Sequence, residues 1–155
     1  MILTISSAST PPRDRVLSDP IPEPLRRSHD EARRCLSANA YAATVVMSTK
    51  TVEGACAMHK VRANNLRDQL AKMKNEGIID GRLWEWAETL RGIRNSAAHF
   101  DQSAAIDRQD AEDSLAYSEA LLDYLYVLKK RFDDMKKRRA KPPVIEEVSD
   151  QLEPG

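Results

Sequence analysis

An apolar repeat in the C-terminal third of the chain constrains the fold more than any other sequence feature. Its spacings are four, three, four and three residues, over Leu121, Leu125, Leu128, Phe132 and Met135. That is the period of one face of an α-helix, and a seam of this length is typical of bundles and coiled coils. The sequence therefore predicts a long helix over about 107–139, ended by Pro142 and Pro143.

Two helices are predicted near the N-terminus. The first covers 25–37, where Ser28 is an N-cap candidate and Glu31 would complete a capping box. The second covers 38–59 and is rich in Ala, Val and Thr, whose small side chains allow close helix packing. One apolar stripe of this helix is formed by Val45, Val52 and Cys56.

A third helix is predicted between two residues that favour helix ends. Asn64 or Asn65 is a suitable N-cap, and Gly77 suits the left-handed position after a helix. A turn at Asp80 then leads into a helix that carries both tryptophans and runs toward His99. Because no convincing strand-like alternation or internal repeat occurs, the predicted fold class is all-α, a bundle of about five helices with a long C-terminal helix.

The 155 residues suit one domain, flanked by two segments of different composition. Residues 1–24 contain five prolines among Ser and Thr and are expected to form a flexible N-terminal arm whose end docks on the core. Residues 25–140 are expected to form the helical domain. Residues 141–155 form an acidic tail that is expected to be disordered.

Basic and acidic side chains balance at 24 each, so only a local charge could attract nucleic acid or a membrane. The segment from Lys129 to Lys141 contains eight basic and two acidic residues, a net charge of +6. The last 14 residues carry four acidic side chains and no basic one. The basic end of the long helix is interpreted as a solvated helix terminus or as an RNA contact.

Cysteine and histidine usage argues against disulfides and metal sites. Cys35 and Cys56 lie in apolar helical contexts, so both are interpreted as reduced, packed thiols. His29, His59 and His99 are 30 and 40 residues apart, which gives no local metal-ligand spacing, and no cofactor is expected. Without a signal-peptide pattern or an apolar stretch of about 18 residues, we expect a cytoplasmic protein that does not engage membranes.

Candidate chemistry is concentrated in the run Arg94-Asn-Ser-Ala-Ala-His99. A histidine can accept the proton of a ribose 2′-hydroxyl, and an arginine can hold the phosphate on which negative charge accumulates. These are the groups that RNA cleavage without a metal ion requires. An Arg-Asn pair at this spacing before a histidine is expected by chance about once in a hundred chains of this composition, so the motif is suggestive and not decisive.

Helical geometry restricts how these groups could meet. Residues four apart share a face, so Arg91, Asn95 and His99 would line one side of the helix. Residues five apart diverge by about 140°. Arg94 could therefore join the others only if the helix ended or bent near Ser96, or if a second copy of the chain brought its own set alongside. This spacing is a first indication of a composite site in a dimer.

An ordered series of motifs resembles one known family. The series comprises the run from Asp30 to Met47, then Val52-Glu53, Leu66-Arg-Asp-Gln-Leu70, Gly77-Ile-Ile, the run from Trp86 to His99, Asp110-Ala-Glu, and the run from Leu121 to Val127. Over roughly residues 20–135 the chain resembles domain-of-unknown-function family 4145, a branch of the HEPN superfamily. The resemblance implies a HEPN-like helical bundle that is commonly paired as a two-fold homodimer.

In active HEPN proteins, the arginine and histidine of an Arg-x-x-x-x-His motif cut RNA without metal and leave 2′,3′-cyclic phosphate ends. The resemblance therefore implies that Arg94 and His99 are catalytic and that RNA is the substrate. Asn95 fills the polar position often found after the arginine. Arg91 and Lys50 are the candidate substrate-binding residues. Many family members carry a basic pair near the position of Lys50, and this chain departs from that pattern.

The same resemblance leaves other functions open. Many superfamily members are dimerisation or sensing domains, so an alternative is a catalytically silent module that binds a protein partner, a nucleotide or RNA. A third hypothesis is a toxin-like ribonuclease in defence or stress response that a partner protein restrains. This hypothesis keeps the same catalytic residues.

Each candidate residue also has a structural interpretation. His99 could end a helix and interact with its dipole. Asn95 could be a buried hydrogen-bonding residue that fixes a bend, and Arg94 could form an ion pair with Glu85 or Glu88. Both tryptophans are interpreted as core or dimer-interface anchors.

Overall fold

The computed structural model describes residues 17–100 and 105–140, which form α-helices and one π-helical segment. The helices are α1 (Glu23–Ser37), α2 (Tyr41–Met58), α3 (Leu66–Asn75), α4 (Gly81–Thr89), α5 (Arg91–Ala98), α6 (Arg108–Leu122) and α7 (Lys129–Ala140). The π segment, Asp123–Leu128, joins α6 to α7. Within the described ranges the chain has no strand, so the predicted all-α class is confirmed.

Side-chain caps fix the starts of three helices. The side chains of Asn65, Asp80 and Asp107 each accept a hydrogen bond from the amide three residues further on, at 2.9, 2.9 and 2.8 Å. Each bond provides a partner for an amide that the helix itself leaves unpaired. Gly77 follows α3 with a φ of +73°, a left-handed conformation that favours glycine. The predicted boundaries of α3 are thus confirmed by the local chemistry.

The start of α1 differs from the prediction. The helix begins at Glu23, with Pro22 at the N-cap and Pro24 in the first turn, where a proline costs no helical hydrogen bond. The predicted cap, Ser28, lies within the helix, and its hydroxyl is 2.8 Å from Thr51 Oγ1 of α2. The capping-box prediction at Ser28 is therefore wrong, because the same polar residue serves a contact between two helices.

Helix α2 lies at the centre of the bundle and packs against α1, α5 and α6. Val45, Val52 and Cys56 are buried there, which confirms the predicted stripe. Gly54 allows a close approach of α1, since a Cβ at this position would lie 2.8 Å from Leu25 Cδ2. The packing of α5 and α6 on α2 positions the candidate site described below.

The tryptophan-rich segment forms two helices rather than one. The break falls at Leu90, a buried residue with φ of −86° and ψ of −4°. Trp84 packs against the core, and the Trp86 ring meets the Tyr117 ring of α6 edge-on at 5.4 Å. These contacts hold α4 on the bundle and leave α5, which carries Arg94, as a separate short helix.

The predicted C-terminal seam is buried only in its first half. Leu121 and Leu125 are 0% and 5% exposed, whereas Leu128 and Phe132 are 56% and 55% exposed. A π turn takes up more residues than an α turn, so it changes which side chains continue the face that α6 presents to the core. None of the residues of α7 is buried. The apolar spacing predicted the long helix correctly but not its burial.

The end of the predicted N-terminal arm packs on the core. Leu17 and Ile21 are 3% and 0% exposed and belong to the same apolar cluster as Leu25. Residues 1–16 and the predicted tail, 141–155, lie outside the described residues. No helix in the described part of the chain is long and apolar enough to cross a membrane.

Candidate functional site

A cleft of about 490 Å³ opens between α2, the start of α3 and α5. Its walls carry three arginines, two carboxylates and several neutral side chains: Thr49, Glu53, Asn65, Leu66, Arg67, Asp68, Arg91, Arg94, Asn95 and Ala98. The sequence of α5 contains no carboxylate, so this wall contributes positive charge only. Guanidinium groups grouped in this way suit the binding of phosphate or carboxylate oxygens.

Arg94 is tied to the helix that precedes its own. Its Nη1 donates a hydrogen bond of 2.7 Å to the carbonyl oxygen of Ala87 in α4. Burial lowers the pKa of Arg94, while Tyr117 and Glu88 act in the opposite direction. Since an arginine remains protonated across the physiological range, the group stays cationic. Arg94 therefore bridges the break between α4 and α5 and carries a fixed positive charge into the cleft.

Three buried hydroxyl groups lie around Arg94. Ser48, Ser114 and Tyr117 are 2%, 5% and 3% exposed, and their oxygens have no hydrogen-bond partner in the described structure. With Arg94 they line a void of about 10 Å³, which is the space of one water molecule. Burial raises the pKa of Tyr117, so its phenol is protonated at neutral pH. We call these four residues the polar base of the cleft.

The ion-pair interpretation of Arg94 is wrong. Glu88 pairs instead with Arg67, whose Nε lies 3.3 and 3.2 Å from the two carboxylate oxygens. Within the described residues, no ion pair joins Arg94 to Glu85 or to Glu88. The Arg67–Glu88 pair connects α3 to α4 at the edge of the cleft.

Asn95 and Arg91 are exposed, and both line the cleft beside Arg94. Asn95 is therefore not a buried residue that fixes a bend. The bend falls at Leu90, where α4 gives way to α5. Lys50 is exposed on α2 but does not belong to the cleft lining. The structure thus brings three of the sequence-predicted site residues together and leaves Lys50 apart.

His99 lies immediately beyond the end of α5. Its backbone is extended, with φ of −125° and ψ of 148°, so the chain leaves the helical path after Ala98. The side chain is exposed, lies outside the cleft lining, and has no hydrogen bond or ion pair with the described residues. The helix thus ends shortly after Ser96. Within one chain, however, this ending does not bring the imidazole into the cleft that holds Arg94.

The other titratable core groups lie away from the cleft. Among residues 17–100 and 105–140, no three His, Cys, Asp or Glu side chains gather closely enough to hold a metal ion. Cys35 and Cys56 are free thiols, and burial raises the pKa of Cys56 to about 12. His29 is fully buried, with Nε2 3.8 Å from Glu119 Oε2, and burial lowers the pKa of this histidine.

Sequence reasoning missed both Arg67 and the hydroxyl groups of the polar base. Ser114 and Tyr117 lie on the buried face of α6, and Ser48 interrupts the buried stripe of α2. Polar residues within an apolar stripe were the available signal. Arg67 offered no such signal, because its place in the cleft depends on how α3 folds against α4 and α5.

Comparison with known proteins identifies one family. The family model described as Domain of unknown function (DUF4145) matches residues 30–138, more than two thirds of the chain. The matched range includes every residue that lines the cleft and the segment that ends at His99. No curated protein and no solved structure matches the chain. The chain therefore belongs to the DUF4145 family.

Proposed function

We propose that this protein is a metal-independent endoribonuclease of the HEPN type that acts as a homodimer in the cytoplasm. The observation that carries the proposal is the exposed His99 imidazole, which follows an arginine-lined cleft and has no structural partner in the described chain. An exposed histidine without a hydrogen-bond or ion-pair partner among the described residues is available for proton transfer. The adjacent arginines are suited to bind the phosphate of an RNA backbone.

The proposed reaction is a transesterification within the RNA strand. The His99 imidazole takes the proton of a 2′-hydroxyl, and the freed oxygen attacks the neighbouring phosphorus. Arg94 stabilises the negative charge that accumulates on the phosphate oxygens, with Asn95 as a further hydrogen-bond donor. The bond to the 5′-oxygen of the downstream nucleotide breaks, this oxygen takes a proton from solvent, and the His99 imidazolium returns its proton to solvent. The upstream fragment then ends in a 2′,3′-cyclic phosphate.

The positions of the two groups favour a site made by two copies. In one chain Arg94 lines the cleft and donates a hydrogen bond to Ala87 of α4, while His99 lies beyond the end of α5 and outside the cleft lining. In a two-fold dimer, the same surface of each copy faces the other. If that surface includes the cleft and the end of α5, the His99 of each copy lies near the cleft of its neighbour. The proposal therefore expects an inactive monomer.

The first test is cleavage of a labelled RNA in the presence of excess chelator. We expect wild-type protein to leave cyclic phosphate ends and His99→Ala to be slower by roughly 10²–10⁴-fold, the usual contribution of a general base. An all-deoxy strand of the same sequence should not be cut. Cleavage of the deoxy strand would overturn the mechanism, and so would equal inactivity of both folded proteins on several RNAs.

A mixing experiment tests the composite site. Arg94→Gln and His99→Ala copies are each expected to be inactive alone. If arginine and histidine come from different copies, a mixed dimer contains one intact site, and random exchange should restore about a quarter of wild-type activity. If both groups come from the same copy, mixing restores nothing. Arg94→Gln is the chosen partner because a glutamine can still donate a hydrogen bond toward Ala87.

The second candidate is a catalytically silent HEPN-type dimer that binds a protein partner, a nucleotide or RNA. The hydrogen bond from Arg94 to Ala87 favours it, because this arginine already has a structural role. Under this alternative, substitution of Arg94 lowers stability, and no RNA is cut by any variant. Binding without cleavage, unaffected by His99→Ala, would support it.

A toxin-like role in defence or stress response would use the same residues. Expression of the wild-type chain should then arrest growth of the host, and His99→Ala should relieve the arrest at equal protein level. A partner protein that restrains the enzyme would copurify with the wild type. Normal growth at high expression of a nuclease-active chain would contradict the toxin hypothesis and leave the nuclease proposal intact.

A further inference from the structure

The second half of the C-terminal seam forms an exposed apolar surface. Leu128, the last residue of the π segment, and Phe132 and Met135 of α7 are 56%, 55% and 37% exposed and recur at helical spacing. At the base of this helix they continue into a groove of about 590 Å³. The groove is lined by His59, Gly77, Ile78, Tyr124, Leu125, Leu128, Lys129 and Phe132. An exposed apolar stripe that continues into a groove is typical of an interaction surface.

Basic side chains border the stripe. Lys136 Nζ lies 5.4 Å from the centre of the Phe132 ring, so its charge is directed toward the apolar face. At 100° per residue, Lys129 and Lys136 flank one side of the stripe and Arg131 flanks the other. Asp134 lies on the opposite side of the helix and pairs with Lys130 at 2.7 Å. Over the whole of α7, seven basic residues outnumber two acidic ones, a net charge of +5.

The segment that follows α7 has the complementary composition. Beyond Pro142 and Pro143, where the helix cannot continue, residues 144–153 carry four acidic side chains and no basic one. Their apolar residues are spaced so that a helix would gather them on one face: Val144, Ile145, Val148 and Leu152. Three of the acidic residues would then lie away from that face, and Glu147 would lie at its border.

We propose that residues 144–153 of the same chain fold back antiparallel along α7 and cover this stripe. The proposal replaces the expectation of a disordered tail. It concerns a surface on α7 and the π segment and does not depend on the proposed nuclease site. Because α7 has no buried residue of its own, its exposed stripe and the apolar residues of the tail would each provide the surface that buries the other.

Length and charge both favour this occupant. Phe132 lies eight residues before Ala140, which is about 12 Å along the helix, and nine helical tail residues span about 13 Å. The tail therefore reaches Met135 and Phe132 after a turn at the two prolines. Its four negative charges would meet a helix of net charge +5, an attraction that operates within about 8 Å at physiological salt. A second copy of α7 would instead bring two strongly basic helices together.

Nuclear Overhauser effects in the isotopically labelled full-length chain test the contact. We expect effects between the methyl groups of Val144, Val148 or Leu152 and the Phe132 ring or the Met135 methyl. Val148→Asp, which places a charge on the apolar face, should abolish them. Ser149→Asp, which adds the same charge one position further along at the border of that face, on the side opposite Glu147, should retain them.

Isotope-filtered spectra of mixed labelled and unlabelled protein distinguish nuclear Overhauser effects within one chain from those between two copies. Effects confined to single labelled molecules, lost in Val148→Asp and retained in Ser149→Asp, would support the proposal. Effects between copies would overturn it in favour of exchange of tails within a dimer. The absence of any effect in the wild type would also overturn it and leave the stripe of α7 for a different partner.

Discussion

The two ends of one short motif lie in opposite environments, Arg94 in the polar base of the cleft and His99 in the extended backbone that follows α5. Arg94 lies beside three buried hydroxyls and donates a hydrogen bond to Ala87. His99, five residues later, is exposed and has no partner in the described chain. The arginine therefore contributes to the fold whatever else it does, whereas the histidine contributes little to it. Substitutions at the two positions should separate stability from activity.

The largest expected effect is at His99. His99→Ala should slow RNA cleavage by roughly 10²–10⁴-fold and leave the free energy of unfolding within about 0.5 kcal/mol of wild type. Cleavage rate and urea unfolding, measured on the same preparation, check this prediction. A large loss of stability would show that His99 is structural, and it would remove the contrast between the two halves of the motif.

Arg94→Ala should reduce stability. It deletes a hydrogen bond from a charged group to a buried carbonyl, and bonds of this class contribute about 1.5–3 kcal/mol. Urea unfolding measures the loss. Arg91→Ala is the matched control, because Arg91 is an exposed arginine on the same helix and lines the same cleft. Equal stability of both variants would mean that the contact of Arg94 with Ala87 contributes nothing to the fold.

The sequence could predict the elements better than their environment. The cap at Asn65, the start of the long helix near Asp107 and the stripe of α2 depend on residues close in sequence, and the structure confirms them. The break at Leu90 and the half-buried position of Arg94 depend on contacts between helices, which no local pattern encodes. For the same reason, the spacing of Arg94 and His99 left open whether the helix ends or bends near Ser96 or a second copy completes the site, and it did not indicate where each side chain would lie.

The polar base should also be visible in the pH dependence of stability. Burial raises the pKa of Tyr117 in the folded state, so above about pH 10 the unfolded chain releases this proton more readily than the folded chain. Stability should therefore fall as the pH rises beyond that point. Tyr117→Phe should show a smaller loss between pH 9 and pH 11 in urea unfolding. Identical profiles of the two proteins would mean that Tyr117 is not protected from solvent.

The smallest expected effect concerns RNA binding by Arg91, the exposed counterpart of Arg94 in the cleft. If Arg91 contacts one phosphate, Arg91→Ala should lower the slope of log K against log salt concentration by about 0.7 for a single-stranded RNA, with stability unchanged. Fluorescence anisotropy on the His99→Ala background, which prevents cleavage, measures the slope. Arg82→Ala is the control, because Arg82 is exposed on α4 and lies outside the cleft lining. Equal slopes for the two variants would place the RNA path outside the cleft, and the charge at Arg94 would then serve the fold alone.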